Sequence, residues 1–590
     1  MEFGYWLLFG YCILGFGYFI NTMKVLLINP PIQDFYFTPQ RAYPLGLSYL
    51  ASPLKQNGFN VKILNCPAEY KKITLKIPTE FNYLKEYYKP NKSPFCLFSN
   101  YYHFGLTYEE IEENIKKFNP QIIGISGNFS AYIDSTFAVA QIAKRIDKRI
   151  VVVCGGRAAT ACPEIMLKNK NLDFVIRGEA EYSLSQLCMH IKGAGLSSSL
   201  GLNRISGLCF RLKNKNHIDN RVNLIKDLNL LPLPQMELIN HNLYKFQGMP
   251  SASLISSRGC SLGCKFCGIK EKFRHRRAEN VLEEIAKGYS LGARHFNFED
   301  DNANCNPEFE KILDLLIVNF SGKIKISFMN GLLGKGINKN LRQKLQKCGL
   351  THIDLSLISA KEPVRREASR PEQQRNVFSL ANSMAKINIP VTVHFIVALP
   401  YQKIRDSLAD LKILSSKRVF LGPSIFYPVI ESPFFDYLKD NFSTRVEDYR
   451  FFRGSCAYFD KFIPRNHIFF VFYLSRIINF IKYLLDAYSL SGEKFFSFLR
   501  EKTDKFDIHT DNFFNKQKID KTTLGLVALR KMLREYKVFR IKETASAYGF
   551  SYDFVQEKFI DPVILKSLLN KLKVSAASGS YYIKIKKGAI

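Results

Sequence analysis

At 590 residues the chain is too long for a single hydrophobic core and divides into about three domains of ordinary size. Its 46% hydrophobic and 23% charged residues make it globular, and thirteen cysteines without regular disulfide spacing exclude a stapled secreted module and place it in a reducing compartment, the cytoplasm. The formal net charge of +32 suits acidic partners, but no long Lys/Arg block or nucleic-acid signature accompanies it, so nucleic acid is not an expected partner.

Residues 1–22 carry one charge, Glu2, and are about long enough to cross a bilayer. They lack the basic start and small-residue cleavage site of a signal peptide. A membrane anchor, with membrane association of the whole chain, is one reading. The preferred one is a reading frame opened too early, because four glycines make a weak spanning helix and the run from Met23 to Pro31 is itself a natural start.

From 23 to about 195, apolar runs at 25–28, 61–64, 122–125, 150–153 and 174–176 alternate with helical stretches at 45–55, 108–117, 135–145 and 181–191. This is the pattern of a doubly wound parallel sheet, which binds ligands at the carboxyl ends of its strands. The residues there are Asn29-Pro30-Pro31, Ser126-Gly127-Asn128, Gly155-Gly156-Arg157 and Arg177-Gly178-Glu179. A Tyr-, Lys- and Pro-rich segment at 67–104 interrupts the alternation and is read as an insertion over the sheet edge or a domain interface. Residues 196–245 are read as a hairpin at 205–225 and a linker ending in Leu230-Leu231-Pro232-Leu233-Pro234.

After the strand-like Leu254-Ile255 comes Ser256-Ser257-Arg258-Gly259-Cys260-Ser261-Leu262-Gly263-Cys264-Lys265-Phe266-Cys267. Three thiolates at C-x3-C-x2-C spacing reach one 4Fe–4S cube and leave its fourth iron for a small molecule. Structural zinc, with His275 as a fourth ligand, is the alternative, although zinc ligands usually come as two separated pairs. Strands then recur at 252–255, 295–298, 324–328, 353–357, 391–397 and 419–427 with helices between them, so that 246–440 reads as a partial (β/α)6 barrel with its chemistry at the carboxyl strand ends. Residues 441–590 read as mainly helical. The apolar stretch around 469–485, interrupted by Arg476 and Lys482, is read as a soluble helix burying one face, with a membrane-surface helix as the alternative. Short helices are expected at 542–573 and a strand or basic tail at 580–587.

The cysteine loop, with Phe266 before the last cysteine, and the segment Phe273–Ile285 resemble the radical S-adenosylmethionine (SAM) enzymes. The preceding domain, with Asn29-Pro30-Pro31, Tyr43-Pro44-Leu45-Gly46, Gly124-Ile125-Ser126, Gly155-Gly156 and Gly178-Glu179 in order, is similar to the cobalamin-binding domain of one class of that family. The resemblance implies a 4Fe–4S cluster on Cys260, Cys264 and Cys267. It implies SAM near Phe266, Glu299, Asp300, Asp301, Ser356, Ser359, Arg370 and Ile396, with Arg365 and Arg366 as further candidates for its carboxylate. It also implies cobalamin near Asn29, Pro30, Ser126, Gly155, Gly156, Gly178 and Glu179. Independently, carboxylates at 299–301 suit an ammonium group, though they also suit a helix cap. His394 is read as a packing residue.

Two departures stand out. No Asp-x-His-x-x-Gly follows the first strand, so no histidine is offered to cobalt, and Gly155-Gly156-Arg157-Ala158-Ala159-Thr160 replaces the GGPHAT of many relatives. The implied activity is C-methylation of an unactivated carbon by a 5′-deoxyadenosyl radical and methylcobalamin, with flavodoxin or ferredoxin as electron donor. The implied substrate is a small molecule, and the aromatic N-terminus and apolar C-terminal stretch hint at a hydrophobic or lipid-like one. A rearrangement or cyclisation without methyl transfer, and a non-catalytic corrin or cluster sensor, are the alternatives.

Overall fold

The structure, a computed structural model, describes residues 22–535 apart from 39–41, 70, 86, 88–94, 96–99, 196–200, 213–216, 371–373, 443–446, 491 and 505–519, together with 576–577 and 580–581. The expectations for residues 1–21, for 542–573 and for 582–587 lie outside the described residues.

The N-terminal domain is built on a seven-stranded sheet. Its strands are β1 (Lys24–Asn29), β2 (Asn60–Asn65), β3 (Ile122–Ser126), β4 (Val151–Gly155), β5 (Phe174–Ile176), β6 (Leu208–Arg211) and β7 (His217–Asp219), in the order β7-β6-β5-β4-β3-β1-β2. The first five in the chain are parallel, and all but β2 are nearly fully buried, because helices cover both faces and every side chain of Val25–Ile28 and Val151–Cys154 meets a core. The order reverses between β1 and β3, which opens a crevice at the carboxyl edge. Two features go beyond the sequence reading. The hairpin expected at 205–225 belongs to the sheet: β6 and β7 pair antiparallel beyond β5 and carry it to Asp219. Within the 67–104 insertion, strands Lys72–Leu75 and Tyr101–Phe104 form a small antiparallel sheet with Ile32–Asp34. Its aromatics reach the C-terminal part of the chain, Phe81 against Phe451 at 5.4 Å and Tyr87 against Phe469 at 4.9 Å, so the insertion fills an interface.

Six parallel strands make the second domain: β8 (Met249–Leu254), β9 (His295–Phe298), β10 (Lys325–Phe328), β11 (Ile353–Ile358), β12 (Val391–Val397) and β13 (Phe420–Ile425). Hydrogen-bonded pairing runs from β8 to β10 and from β11 to β13, and two isolated parallel bridges, Ile326–Leu350 and Leu332–Leu355, join the halves into an open barrel. On β11 and β12 buried residues alternate with half-buried ones, so Asp354, Ser356, His394 and Ile396 face the lumen. His394 is therefore not in ordinary packing: its Nε2 lies 2.8 Å from Asp354 Oδ1.

The helix Arg465–Ala487 covers the free edge of β13. Asn479 accepts from Leu421 N at 2.7 Å and donates to Leu421 O at 2.8 Å, which satisfies the edge backbone. Lys482, read from sequence as an interruption, is buried and donates to Leu414 O, Lys417 O and Val419 O at 2.7–2.8 Å. By length and composition this helix could cross a membrane, yet 67% of its most apolar window is buried inside the chain, as in a core helix.

Candidate active site

The cluster loop is pinned at its base by the antiparallel pair Ser257–Arg258 with Arg274–His275. Gly259 has φ +82°, and a Cβ there would meet Glu271 O at 2.6 Å and Lys272 O at 2.5 Å, so only glycine lets the two backbones cross. Cys264 is buried, and Cys260 and Cys267 are half-buried. Cys260 Sγ accepts from Asn302 Nδ2 at 3.0 Å, and Arg370 Nη1 lies 3.7 Å from Cys264 Sγ. Arg370 Nε is buried without a partner among the described residues.

Burial pushes the Cys260 and Cys267 thiols above their usual range. A metal-bound thiol is deprotonated outright, and the amide and guanidinium donors suit the resulting anionic sulfur. The donor set therefore fits an iron–sulfur cube, which spreads its thiolates over separate irons. It does not fit zinc: among the described residues no three His, Cys, Asp or Glu side chains gather around a single ion, and His275 is exposed.

At the barrel mouth the three acidic residues are placed differently. Asp300 is 2% exposed, and its carboxylate accepts from Ser256 N at 3.0 Å, Ser256 Oγ at 2.7 Å and Ser257 Oγ at 2.5 Å, so it holds the start of the cluster loop. Burial raises its pKa against those bonds. Asp301 is half-buried, and burial raises it too while Arg157 pulls it back. Glu299 is half-buried just beyond β9, its N–H on Leu254 O at 2.8 Å.

The three arginines also separate. Arg365 is buried and donates to Ser359 O at 2.6 Å, Arg366 is exposed and pairs with Glu362 at 3.0 Å, and Arg370 alone reaches the cysteines. Ser359 does not line the mouth: it is fully buried and donates to Asp410 Oδ1 at 3.0 Å. Phe266 and Ile396 pack against one apolar cluster with Ile358, Leu399 and Phe426. Ile358 and Ala398, at the ends of β11 and β12, hold φ of +66° and +69°. Each left-handed non-glycine residue costs about 1 kcal/mol or more, a kind of strain found around ligand sites.

Asp410 gives this wall a pH dependence. Burial pushes its carboxyl up to about 7, and its Oδ2 is unpartnered among the described residues. Between the unfolded value of 3.8 and about 7 the folded state holds the extra proton. The cost of the buried charge is thus full above about 7 and vanishes as pH falls below 4. Asp410→Asn, which keeps the acceptor for Ser359, is expected to be more stable than wild type by about 1–3 kcal/mol at pH 8 and indistinguishable from it near pH 4 in urea denaturation.

The loops at the carboxyl edge of the N-terminal sheet converge on the barrel. Asn29 Nδ2 donates to Asn65 Oδ1 at 2.7 Å beside the buried Pro30, and Ser126 Oγ accepts from Asn128 Nδ2 at 3.0 Å. Gly156 has φ +120°, and a Cβ there would strike Asn128 Oδ1 at 2.5 Å, whereas one on Gly155 would meet nothing closer than Ile176 O at 3.5 Å. The result is a bare backbone shelf, with Phe129 59% exposed beside it. Arg157, where many relatives carry proline, extends from this shelf toward Asp301 and Cys267 and interacts electrostatically with both. The shelf fits a large flat group.

Gly178 closes on Val222, and Glu179 turns to the barrel: its Oε1 accepts from Arg258 Nη1 at 3.1 Å and its Oε2 from Arg274 Nη1 at 2.8 Å. Glu181 accepts from Arg258 Nη2 at 2.5 Å. Sequence reasoning missed this bridge, since residues 77 and 79 positions apart give no local signal. A second buried tie joins Tyr49 of the first domain to Glu284 at 2.7 Å and to Arg276 at 3.0 Å, and Arg276 also pairs with Glu284.

Comparison with known proteins agrees with this layout. The profile of the Radical SAM superfamily matches residues 254–412 and that of the B12 binding domain residues 98–188. The chain is 25% identical over 401 residues to an uncharacterised methyltransferase of Pyrococcus horikoshii, covering 67% of this chain and 78% of that protein. It is 27% identical over 315 residues to the cytidylyl-2-hydroxyethylphosphonate methyltransferase of Streptomyces wedmorensis, covering 47% and 55%. Among solved structures it resembles the cobalamin-dependent S-adenosylmethionine radical enzyme OxsB, with aqua-cobalamin and S-adenosylmethionine bound, at a TM-score of 0.58 and 14% identity over 94% of this chain and 73% of that one, a likeness of fold. A cysteine loop at the mouth of an open barrel, behind a sheet whose bare carboxyl edge faces it, has one description in those terms: the chain is a radical SAM enzyme that carries a B12-binding domain ahead of its catalytic barrel.

Proposed function

We propose that the chain is a C-methyltransferase acting on an unactivated carbon of a small molecule. The observation that carries this is the Glu179–Arg258–Glu181 bridge, which ties the Gly-Glu loop of the B12-binding domain to the residue two before Cys260. It fixes the two cofactor-binding edges against one another, and holding reactants in one geometry supplies much of the rate of such a reaction. When bound, the cluster supplies the electron that cleaves SAM, and cobalamin supplies the methyl group.

The chain's own residues do the rest. Cys260, Cys264 and Cys267 hold the cluster, and Asn302 and Arg370 donate toward its sulfur. Glu299 and Asp301 accept the SAM ammonium, while Asp300 only braces the loop. Phe266, Ser356 and Ile396 wall the adenosine side. Gly155 and Gly156 let the corrin approach the backbone, Asn29, Pro30 and Ser126 shape the crevice beside it, and Gly178 and Glu179 clamp the domains. We take 23–219 as the B12-binding unit, because β6 and β7 extend its sheet, and 246–440 as the barrel. Acidic flavodoxin or ferredoxin is the electron donor that a chain of +32 would attract.

The experiment is anaerobic reconstitution with hydroxocobalamin, desalting, and incubation with reductant and SAM bearing a deuterated methyl group. Retained corrin bands, the labelled methyl on the extracted corrin and formation of 5′-deoxyadenosine are expected. A corrin that is retained but never labelled would replace methyl transfer by a rearrangement, and loss of the corrin on desalting would overturn the role of the shelf.

A further inference from the structure

The inner faces of the barrel strands carry a largely apolar cavity, set with a few polar side chains, apart from the cluster loop. It encloses about 260 Å³, close to the ~300 Å³ at which small-molecule pockets begin. Ser251, His295, Asn297, Asp354 and His394 form its wall from four strands, and Tyr43 reaches it from the N-terminal domain. The cavity lies one inward step below the mouth. Asp354 and His394 precede Ser356 and Ile396 by two residues on their strands, and Asn297 precedes Glu299, just past the end of β9, by the same two, a rise of about 7 Å.

Three of its polar atoms are buried and unanswered. Tyr43 Oη, His295 Nε2 and Asn297 Nδ2 have no hydrogen-bond partner among the described residues, and their residues are 7%, 2% and 3% exposed. Native proteins leave few such groups, so three around one cavity point to a ligand.

The side chains are otherwise fixed. Asn297 Oδ1 accepts from Ser327 Oγ at 2.9 Å and Met329 N at 3.1 Å, which commits Nδ2 to be the outstanding donor. His295 Nδ1 meets Ser251 Oγ at 2.8 Å, and its ring stacks on Phe246 at 4.1 Å. The Tyr43 ring packs edge-on against Tyr244 at 5.1 Å.

The unanswered groups are neutral. Burial drives His295 down to about 3, and burial, then Glu284, raises Tyr43 well above its usual value, so the phenol keeps its proton. The charged wall residue is already paired: burial opposes the charge of Asp354, but His352 at 3.0 Å and His394 at 2.8 Å outweigh it and hold its carboxyl at about 2. Lys245, which also borders the cavity, is exposed to solvent.

We infer that this cavity receives the polar end of the substrate, a neutral, acceptor-rich ring of the carbohydrate or carbonyl-heterocycle kind, and not an apolar chain. The inference rests on the methyltransferase reading for the word substrate, and it replaces the hydrophobic metabolite suggested by the aromatic N-terminus. A ring seated on Asn297, His295 and Tyr43 leaves its far side one strand step from the mouth, where the carbon to be modified belongs.

The test uses the full-length reconstituted protein and saturation-transfer NMR titrations with three probes: methyl β-ribofuranoside, cytosine and decanol. Saturable binding of the sugar or the base is expected, and which of them binds identifies the source of the ring. Tyr43→Phe removes a hydroxyl that has no partner, so its thermal midpoint should hold while affinity for the bound ring falls about 3- to 10-fold. Asn297→Asp keeps the acceptor for Ser327 and Met329 and loses the donor, and should weaken the same probe as much. Binding of decanol alone, or ring binding that neither substitution changes, would overturn the assignment. Corrin retention and SAM cleavage on the same wild-type preparation report on the methyltransferase reading separately: their failure with ring binding intact would remove methyl transfer and leave the pocket.

Discussion

Cys264→Ala is expected to abolish the cluster and, with it, SAM cleavage. A cube held by three thiolates with one open iron has no ligand to spare, and replacing one thiolate by a methyl group leaves two irons without protein ligands. Iron and sulfide content and the broad visible absorbance should fall to the level of unreconstituted protein, and 5′-deoxyadenosine should be undetectable. The fold should survive, because the removed sulfur meets the guanidinium of Arg370 and carries no main-chain bond among the described residues. The far-ultraviolet circular dichroism should match wild type, with a stability loss of about 1 kcal/mol for a small buried side chain.

Cys348→Ala is the control. That thiol is buried, pushed up to about 12 by burial, and donates to Leu313 O at 3.3 Å, so it is a packing group with no thiolate character and its loss should leave cluster content unchanged. A Cys264→Ala protein that kept a full cluster, or still cleaved SAM, would require a different ligand set.

The barrel and the cluster loop were legible in the sequence because their signals are local. The runs at 295–298 and 391–397 are bounded by turn residues, and β9 and β12 occupy those residues. The cysteine spacing and Gly259 lie within one loop. What could not be read is what depends on distant partners. Nothing within 205–225 says that this hairpin extends the sheet past β5. Nothing in Asp300-Asp301 says which carboxylate turns inward to Ser256 and Ser257. The lumen cavity left a faint trace: Ser251 and Ser253, His295 and Asn297, Asp354 and Ser356, and Thr392 and His394 stand at alternate positions in strands whose other residues are apolar. A strand buried on both sides has no reason to carry polar residues at every second place. The sequence reading nevertheless left His394 in packing, and its place in the lumen comes from the structure.

Arg258→Met is expected to loosen the union of the two domains and cost about 3–5 kcal/mol, the price of leaving buried carboxylates without their cation. Arg258 sits between Glu179 and Glu181 with side-chain exposures of 16%, 12% and 7%. Burial opposes its charge, and the two carboxylates outweigh that and hold it protonated. Glu181 Oε2 has no partner among the described residues, so Arg258 is its main compensation. Glu179 keeps Arg274, which puts the expected loss toward the lower figure.

Adding Glu181→Gln to Arg258→Met should recover part of the loss, because the second substitution removes the orphaned charge and not merely another contact. Burial raises the carboxyl of Glu179, but Arg274 and Arg258 outweigh it and depress it below 4.5. The bridge therefore contributes fully above that pH and is lost as pH falls through the folded value, so wild type and Arg258→Met should converge in acid. If the bridge also sets the corrin against the cluster, Arg258→Met should keep its iron and lose retained cobalamin on desalting. A change in stability under about 1 kcal/mol at pH 7.5, with corrin retained as in wild type, would mean that the shelf and the cluster loop are held together by the Tyr49–Glu284–Arg276 tie and the packing around it instead.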